Sequence, residues 1–178
     1  MDASKTPGSV AEGLPSPIDT FALEARAFCA WATGADGSTM GAAAALRHIA
    51  KLYVAALSLP HPFSPDLSSE YRSADAPNRH LVQGRVTTLP FDRYWEMYAP
   101  NTATPEEPAA GSLRDDIQDI YDDVARGLDL FDAGNRADAL FEWGFGFRIH
   151  WGEHATGALH ALHAFLAEQD PEALAQDG

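Results

Sequence analysis

Hydrophobic residues recur at helical spacing along most of the chain, which predicts a protein built from α-helices. The first of these segments begins near Pro17, with Asp19 or Thr20 as its N-cap, and ends at Gly34. Its expected buried stripe consists of Phe21, Ala25, Phe28, Trp31 and Ala32. The folded region therefore starts with an amphipathic helix.

A second helix is predicted between a cap at Ser38 or Thr39 and Pro60. The alanine run 42–45 supports it, because alanine has the highest helix propensity. The expected buried stripe consists of Leu46, Ile49, Ala50, Tyr53 and Leu57. His48 falls on the opposite side of this helix, which predicts a surface position.

The helical pattern is lost between His61 and Thr88. Since this is long for an unstructured connection, we expect a short element near Leu81 or a packed functional loop. A short helix is predicted after Pro90, with four aromatic residues on one face: Phe91, Tyr94, Trp95 and Tyr98. Such a face is usually part of the core, and the alternative is a binding surface formed by Tyr94, Trp95 and Tyr98. Residues 99–111 then form a surface linker rich in proline and acids.

Two long helices close the chain and form an antiparallel hairpin over residues 112–168. Ser112 caps the first of them, and Asp115 follows three residues later in a capping-box arrangement. Its apolar seam consists of Leu113, Ile117, Ile120, Val124 and Leu128. Gly134 and Asn135 form the turn, one ending a helix and the other capping the next.

No alternating strand pattern of useful length accompanies these helices. We therefore predict an all-α fold, a single-domain bundle of four to five helices over residues 18–169. Residues 1–17 are expected to be a disordered arm and residues 170–178 a disordered tail. With 178 residues and 46% apolar composition, the chain has enough material for one buried core.

The C-terminal segment "SLRDDIQDIYDDVARGLDLFDAGNRADALFEWGFGFRIHWGEHATGALHAL" resembles the signature of a bacterial family, the domain of unknown function 5063. The likeness is strong over residues 111–165 and looser in "FALEARAFCAW" and "LRHIAKLYVAALSLP". The resemblance implies a small helical bacterial protein and carries no established activity.

The charge is strongly acidic, with 26 Asp and Glu against 12 Lys and Arg and a net charge of −14. Such a chain repels phosphate backbones, so we expect no ordinary nucleic-acid binding and no binding to anionic membranes. Solubility alone is the simplest explanation of this charge; attraction of a basic protein partner and mimicry of nucleic acid are the alternatives. A single cysteine, Cys29, and the lack of a signal-peptide or membrane-spanning pattern predict a cytoplasmic protein. No feature specifies an oligomeric state.

Five aspartates crowd the first helix of the C-terminal hairpin. A helical projection places Asp115, Asp119 and Asp122 about 150° or more from the apolar seam, facing water. Asp116 and Asp123 lie about 90–110° from it, where they can meet a neighbouring helix. Asp116 is therefore a candidate binding residue.

His150 and His154, one helical turn apart, are the candidates for chemistry. Projected on the stripe around Phe147, both face the core, and a buried imidazole needs a hydrogen-bond partner. Glu24 is the first choice of partner and Asp116 the second. Two histidines and a carboxylate also form a known ligand set for zinc or iron, although the zinc-protease and di-iron spacings are absent.

Four glycines, Gly144, Gly146, Gly152 and Gly157, interrupt the last helical segment. Close approach of another helix is one explanation, and a helix break near residues 144–146 is the other.

Two functions follow from these features. The favoured one is a non-catalytic acidic module that binds a protein partner, and it predicts no cofactor. The alternative is a metal- or His-dependent enzyme centred on His150, His154 and Glu24. An exposed aromatic patch favours the first hypothesis, and a pocket reaching the histidines favours the second.

Overall fold

The computed structural model describes residues 15–60, 76–97, 101–103 and 107–175. The chain is predominantly helical, as predicted. The elements in chain order are α1 (Pro17–Thr33), α2 (Ala42–Leu57), α3 (Arg79–Val86), β1 (Arg93–Glu96), β2 (Ala109–Ser112), α4 (Leu113–Asp132), α5 (Arg136–Ile149), α6 (Trp151–Gln169) and α7 (Glu172–Ala175).

Helix α1 confirms the first prediction in its bounds and in its buried face. All five residues of the expected stripe are buried. The N-cap is Ser16, whose Oγ accepts a hydrogen bond from the backbone N–H of Asp19, so neither Asp19 nor Thr20 is the cap. Gly34 ends the helix with a φ of 80°, a conformation that glycine adopts without strain.

Helix α2 differs from its prediction in start and in buried face. It begins at Ala42 with Gly41 as the N-cap, instead of at Ser38 or Thr39. Leu57 is 63% exposed, and the buried positions are Ala42, Ala45, Ile49, Leu52, Ala55 and Ala56. Small alanines permit close packing against α1 and α6, so they share the inner face with Ile49 and Leu52, and Leu57 is excluded from it. His48 stacks on Trp31 instead of lying free on the surface.

The prediction of a short helix after Pro90 was wrong. Residues 93–96 form β1, which pairs antiparallel with β2 in a two-stranded sheet. Tyr94 lies opposite Gly111, and a side chain at that position would overlap the Tyr94 ring. The expected element near Leu81 is confirmed as α3, while Tyr98 lies outside the described residues.

Helix α4 is the centre of the fold and packs against α1, α3, α5 and α6. Ser112 caps it as predicted, with its Oγ accepting from the N–H of Asp115. The turn at Gly134 joins it to α5, and the two helices pack against each other as the predicted hairpin requires. Indole Nε1 of Trp143 donates to the carbonyl of Val124 at 3.0 Å across this contact.

The second arm of the hairpin is two helices, because α5 ends at Ile149 and α6 begins at Trp151. His150 at the junction has φ −146° and ψ −88°, outside the helical region. Indole Nε1 of Trp151 donates back to the carbonyl of Trp143 at 3.1 Å. A side chain at Gly152 would overlap the backbone of Phe147, so this glycine permits the corner. The break lies a few residues beyond the position considered from the sequence.

The chain ends differ from their predicted extents. The expected arm lies outside the described residues up to residue 14, and Pro15 and Ser16 lead directly into α1. The expected disordered tail contains α7, which packs against α6 and buries Ala173. Arg47 donates to the carbonyl of Ala173 at 2.8 Å, a contact that no local pattern indicates.

Candidate functional site

Carboxylates from α4 meet imidazoles at the start of α6 and form one polar cluster. We call it the His–Asp cluster, and it consists of Asp116, Asp119, Asp123, His150 and His154. The two imidazole centroids are 4.9 Å apart with their planes at 79°. Strand β1 borders the cluster through Tyr94.

His154 is held by Asp116. Its Nδ1 lies 2.9 Å from Oδ1 of Asp116, and the Tyr94 hydroxyl donates to Oδ2 of the same carboxylate at 2.8 Å. Tyr94 also lies 3.2 Å from Oε2 of Glu96. The buried Asp116 thus accepts from two side chains that come from different elements.

His150 is held in the same way by Asp123. Its Nδ1 lies 2.7 Å from Oδ2 of Asp123, which is also buried. Arg126 donates to the other oxygen of Asp123 and, through Nε, to Glu142 at 2.9 Å. The cluster is open on this side, where Arg126, Glu142 and His150 line a cavity of about 300 Å³.

The electrostatics of the His154 side follow from burial and hydrogen bonding. Burial raises the pKa of Asp116, while the hydrogen bonds from His154 and Tyr94 act in the opposite direction. The hydrogen bond to Asp116 raises the pKa of His154, because the carboxylate favours the imidazolium. Burial raises the pKa of Tyr94, so its hydroxyl stays protonated and acts as a donor.

Asp119 completes the cluster on its solvent side. Its Oδ2 lies 3.5 Å from Nε2 of His154, and its side chain is partly exposed. One ligand atom from each of Asp119, His150 and His154 lies within 4.8 Å of the others. Two imidazoles and a carboxylate are therefore positioned to approach one small cation.

Two predictions about the histidines need correction. Glu24 is half-buried on α1 and acts electrostatically on His48; the partners of His150 and His154 are Asp123 and Asp116. The histidines also do not face a sealed core, since their side chains are 48% and 29% exposed. The break at His150 resets the helical phase, so a single projection cannot place both sides of it.

The aspartates of α4 were only partly placed by the projection. Asp115 is exposed and Asp119 is partly exposed, as expected of residues that face water. Asp116 and Asp123 lie towards a neighbouring helix, also as expected. Asp122 is buried, contrary to the prediction, and accepts from Gln118 at 2.9 Å while lying 3.1 Å from Arg79. Helix α3 covers this side of α4, which explains the difference.

A second feature is a groove of about 700 Å³ along α6. Strand β1 forms one wall, and the lining residues are Tyr53, Trp95, Glu96, Met97, Phe147, Arg148, Gly152, Glu153, Thr156, Gly157 and His160. Trp95 is 72% exposed, whereas Trp31, Trp143 and Trp151 are fully buried. Of the three aromatic residues predicted to bind, Trp95 lies in the groove and Tyr94 borders the His–Asp cluster.

Gly157 connects the two features, and its role was not found from the sequence. A Cβ on this residue would overlap the Tyr94 hydroxyl and lie 2.8 Å from Oε2 of Glu96. The glycine therefore admits side chains of β1 onto α6, where Tyr94 reaches Asp116. Glycine inside a helix was the available signal, but the approaching element is a strand instead of a helix.

Cys29 offers no nucleophile in this structure. Burial, with a further contribution from Asp129, raises the pKa of its thiol to about 12. A thiol must be ionised to attack, so this environment opposes nucleophilic catalysis by Cys29.

The family model for the domain of unknown function DUF5063 matches residues 13–168. The chain belongs to this family. The match covers the residues of the His–Asp cluster and of the groove along α6. No curated protein matches the chain.

A member of the same fold has been solved. The crystal structure of protein BF1032 from Bacteroides fragilis, determined by a structural genomics consortium, superimposes with a TM-score of 0.66. The two sequences are 21% identical, and the match covers 87% of this DUF5063 chain and 94% of the other. At this identity the likeness establishes the fold alone. Within the described residues of the DUF5063 chain, no helix combines the length and apolar character needed to cross a membrane.

Proposed function

We propose that this protein is a non-catalytic interaction module whose groove along α6 binds a basic segment of a partner protein. The observation that supports this most directly is Trp95, a large aromatic side chain left exposed on the groove wall. Exposed aromatic residues beside a concave surface are characteristic of binding sites, because their burial contributes strongly to affinity.

The chemistry of the groove supports an amphipathic occupant. Tyr53, Phe147, Trp95 and Met97 provide apolar surface, and Met97 is itself exposed. A cavity of this size accommodates one or two apolar side chains of a peptide together with part of its backbone.

The charges support a basic occupant. Glu96 from β1 and Glu153 from α6 line the groove, while Arg148 and His160 are the basic groups among its lining residues. The whole chain carries a net charge of −14, so its field attracts cationic partners over longer distances.

The proposal is tested by calorimetric titration with two peptides of equal length, one alternating lysine with leucine and one alternating glutamate with leucine. We expect the lysine peptide to bind and to shield Trp95 from iodide quenching, with affinity falling as salt is raised. Trp95→Ala should weaken binding at least about tenfold, because it removes the aromatic anchor.

Matched controls separate the groove from general attraction between charges. Leu23→Ala removes an exposed apolar side chain on α1 and is the control for Trp95→Ala. Glu168→Gln removes an exposed charge from α6 and is the control for Glu153→Gln, which removes a groove charge from the same helix. Leu23→Ala and Glu168→Gln should bind like the wild type, and Glu153→Gln should bind more weakly. Equal binding of the two peptides, or unchanged affinity in Trp95→Ala, would contradict the proposal.

A further inference from the structure

We propose that Asp119, His150 and His154 form a binding site for a divalent transition-metal ion of the Zn²⁺ class. This inference is independent of partner binding in the groove. It begins from proximity, since one ligand atom from each residue lies within 4.8 Å of the other two. Two imidazoles and one carboxylate match the protein ligand set of zinc and non-haem iron sites.

The orientation of both imidazoles supports the assignment. Nδ1 of His150 and Nδ1 of His154 each lie within hydrogen-bonding distance of a buried carboxylate. An Nδ1–H that donates to a carboxylate leaves the lone pair of Nε2 available to a metal. Nε2 of His154 already faces Asp119, at 3.5 Å from its Oδ2.

The carboxylates that orient the imidazoles are fixed in turn. Asp116 accepts the Tyr94 hydroxyl at 2.8 Å, and Asp123 accepts from Arg126. Asp116 and Asp123 lie about two turns apart on α4, so each histidine has its own support. Metal-binding histidines characteristically have such partners, which fix the ring and increase the basicity of the ligand.

The size of the cluster fits after a small contraction. Ligand atoms around a tetrahedral zinc ion are about 3.3 Å apart, as follows from bond lengths near 2.0–2.1 Å. The partly exposed side chain of Asp119 can rotate, and the His150 ring can tilt about its contact with Asp123, to close the remaining distance. Their exposure also leaves an entry path and a position for water as a fourth ligand. Nitrogen ligands disfavour Ca²⁺ and Mg²⁺, which prefer sets made only of oxygen.

The competing explanation is an ion-pair cluster in which a protonated His154 lies between Asp116 and Asp119 without binding metal. Titration of the tag-free, chelator-treated protein with Zn²⁺ and Co²⁺, and with Mg²⁺ for comparison, distinguishes the two. We expect one Zn²⁺ or Co²⁺ per chain and no comparable binding of Mg²⁺. The Co²⁺ protein should show the intense visible absorption of a low-coordinate site.

Variants locate the ion. His150→Gln, His154→Gln and Asp119→Asn should each lower zinc affinity at least about tenfold, since each removes a ligand. His163→Gln on α6 and Asp115→Asn on α4 are matched controls at exposed positions and should bind like the wild type. Asp116→Asn keeps all three ligands and should still weaken binding about 10–100-fold by releasing His154.

The zinc titration, the double variant and the Co²⁺ spectrum can each contradict the site. Failure of the wild type to bind Zn²⁺ at one per chain, or equal binding by the His150→Gln/His154→Gln double variant, would overturn the site. If a variant does not fold by circular dichroism, the wild-type Co²⁺ spectrum decides. A weak spectrum typical of six oxygen ligands would also overturn the proposal.

Discussion

Replacing His154 with alanine tests whether the imidazole supports the buried carboxylate of Asp116. A hydrogen bond to a charged group contributes about 1.5–3 kcal/mol to stability. The His154 side chain is 29% exposed, so water replaces part of the lost interaction. Alanine also favours a helix over histidine by up to about 0.7 kcal/mol. We therefore expect the free energy of unfolding to fall by about 1–2 kcal/mol.

The matched control for this experiment is His160→Ala. His160 lies on the same helix and is exposed, so the substitution brings the same gain in helix propensity without loss of a bond to Asp116. Its unfolding free energy should change by no more than about 0.5 kcal/mol. Both variants are measured by urea unfolding, followed by fluorescence of the buried tryptophans, with a chelator present to remove any metal contribution. Equal values for the two variants would refute the role assigned to His154.

Two further predictions concern packing and pH. Gly127→Ala should lower the melting temperature, because its Cβ would overlap the Trp143 ring and overpacking costs about 1–3 kcal/mol. Gly84→Ala has open space around its Cβ and should raise the free energy of unfolding by up to about 1 kcal/mol. The reverse order of the two variants in thermal unfolding would refute the packing argument. Burial lowers the pKa of His48 below the ordinary 6.5, so its contribution to stability is present above pH 6.5 and is lost as pH falls through the lowered pKa. The stability of the wild type relative to His48→Gln should therefore fall on acidification in urea unfolding, and a constant difference would show that His48 is not desolvated.

Local signals placed some of the helix ends correctly. The Ser112 cap and the Gly34 stop act within a single turn, so the residues around them suffice to place them. The stripe of α1 was also predictable, because its large apolar side chains are the ones that the core buries. The same reasoning failed on α2, where contact with two helices selects alanines over Leu57.

Strand β1 could not be predicted from its own residues. The spacing of Phe91, Tyr94 and Trp95 fits a helix, and the strand exists because it pairs with residues 109–112 later in the chain. Gly111 leaves space for the Tyr94 ring in that pairing. Such a choice depends on a contact distant in sequence, which periodicity alone does not contain.

The site was found in part. His150, His154 and Asp116 were identified as candidates, but Glu24 was preferred as the partner. A projection with one buried face fails for α4, which has neighbours on several sides. A better signal is the antiparallel pairing of α4 with the start of α6. The later aspartate, Asp123, contacts the earlier histidine, His150, and the earlier aspartate, Asp116, contacts the later histidine, His154.

The junction at His150 gives this residue a mechanical role. Its backbone joins α5 to α6: its N–H donates to the Gly146 carbonyl at 2.8 Å, and its carbonyl accepts from Glu153 at 3.0 Å. The same residue places an imidazole against α4. A rotation of α5 relative to α6 that turns the His150 backbone would therefore move its imidazole away from that of His154. An ion held by both rings and by Asp119 would cross-link this junction to α4, and its release would leave the corner between α5 and α6 freer to move.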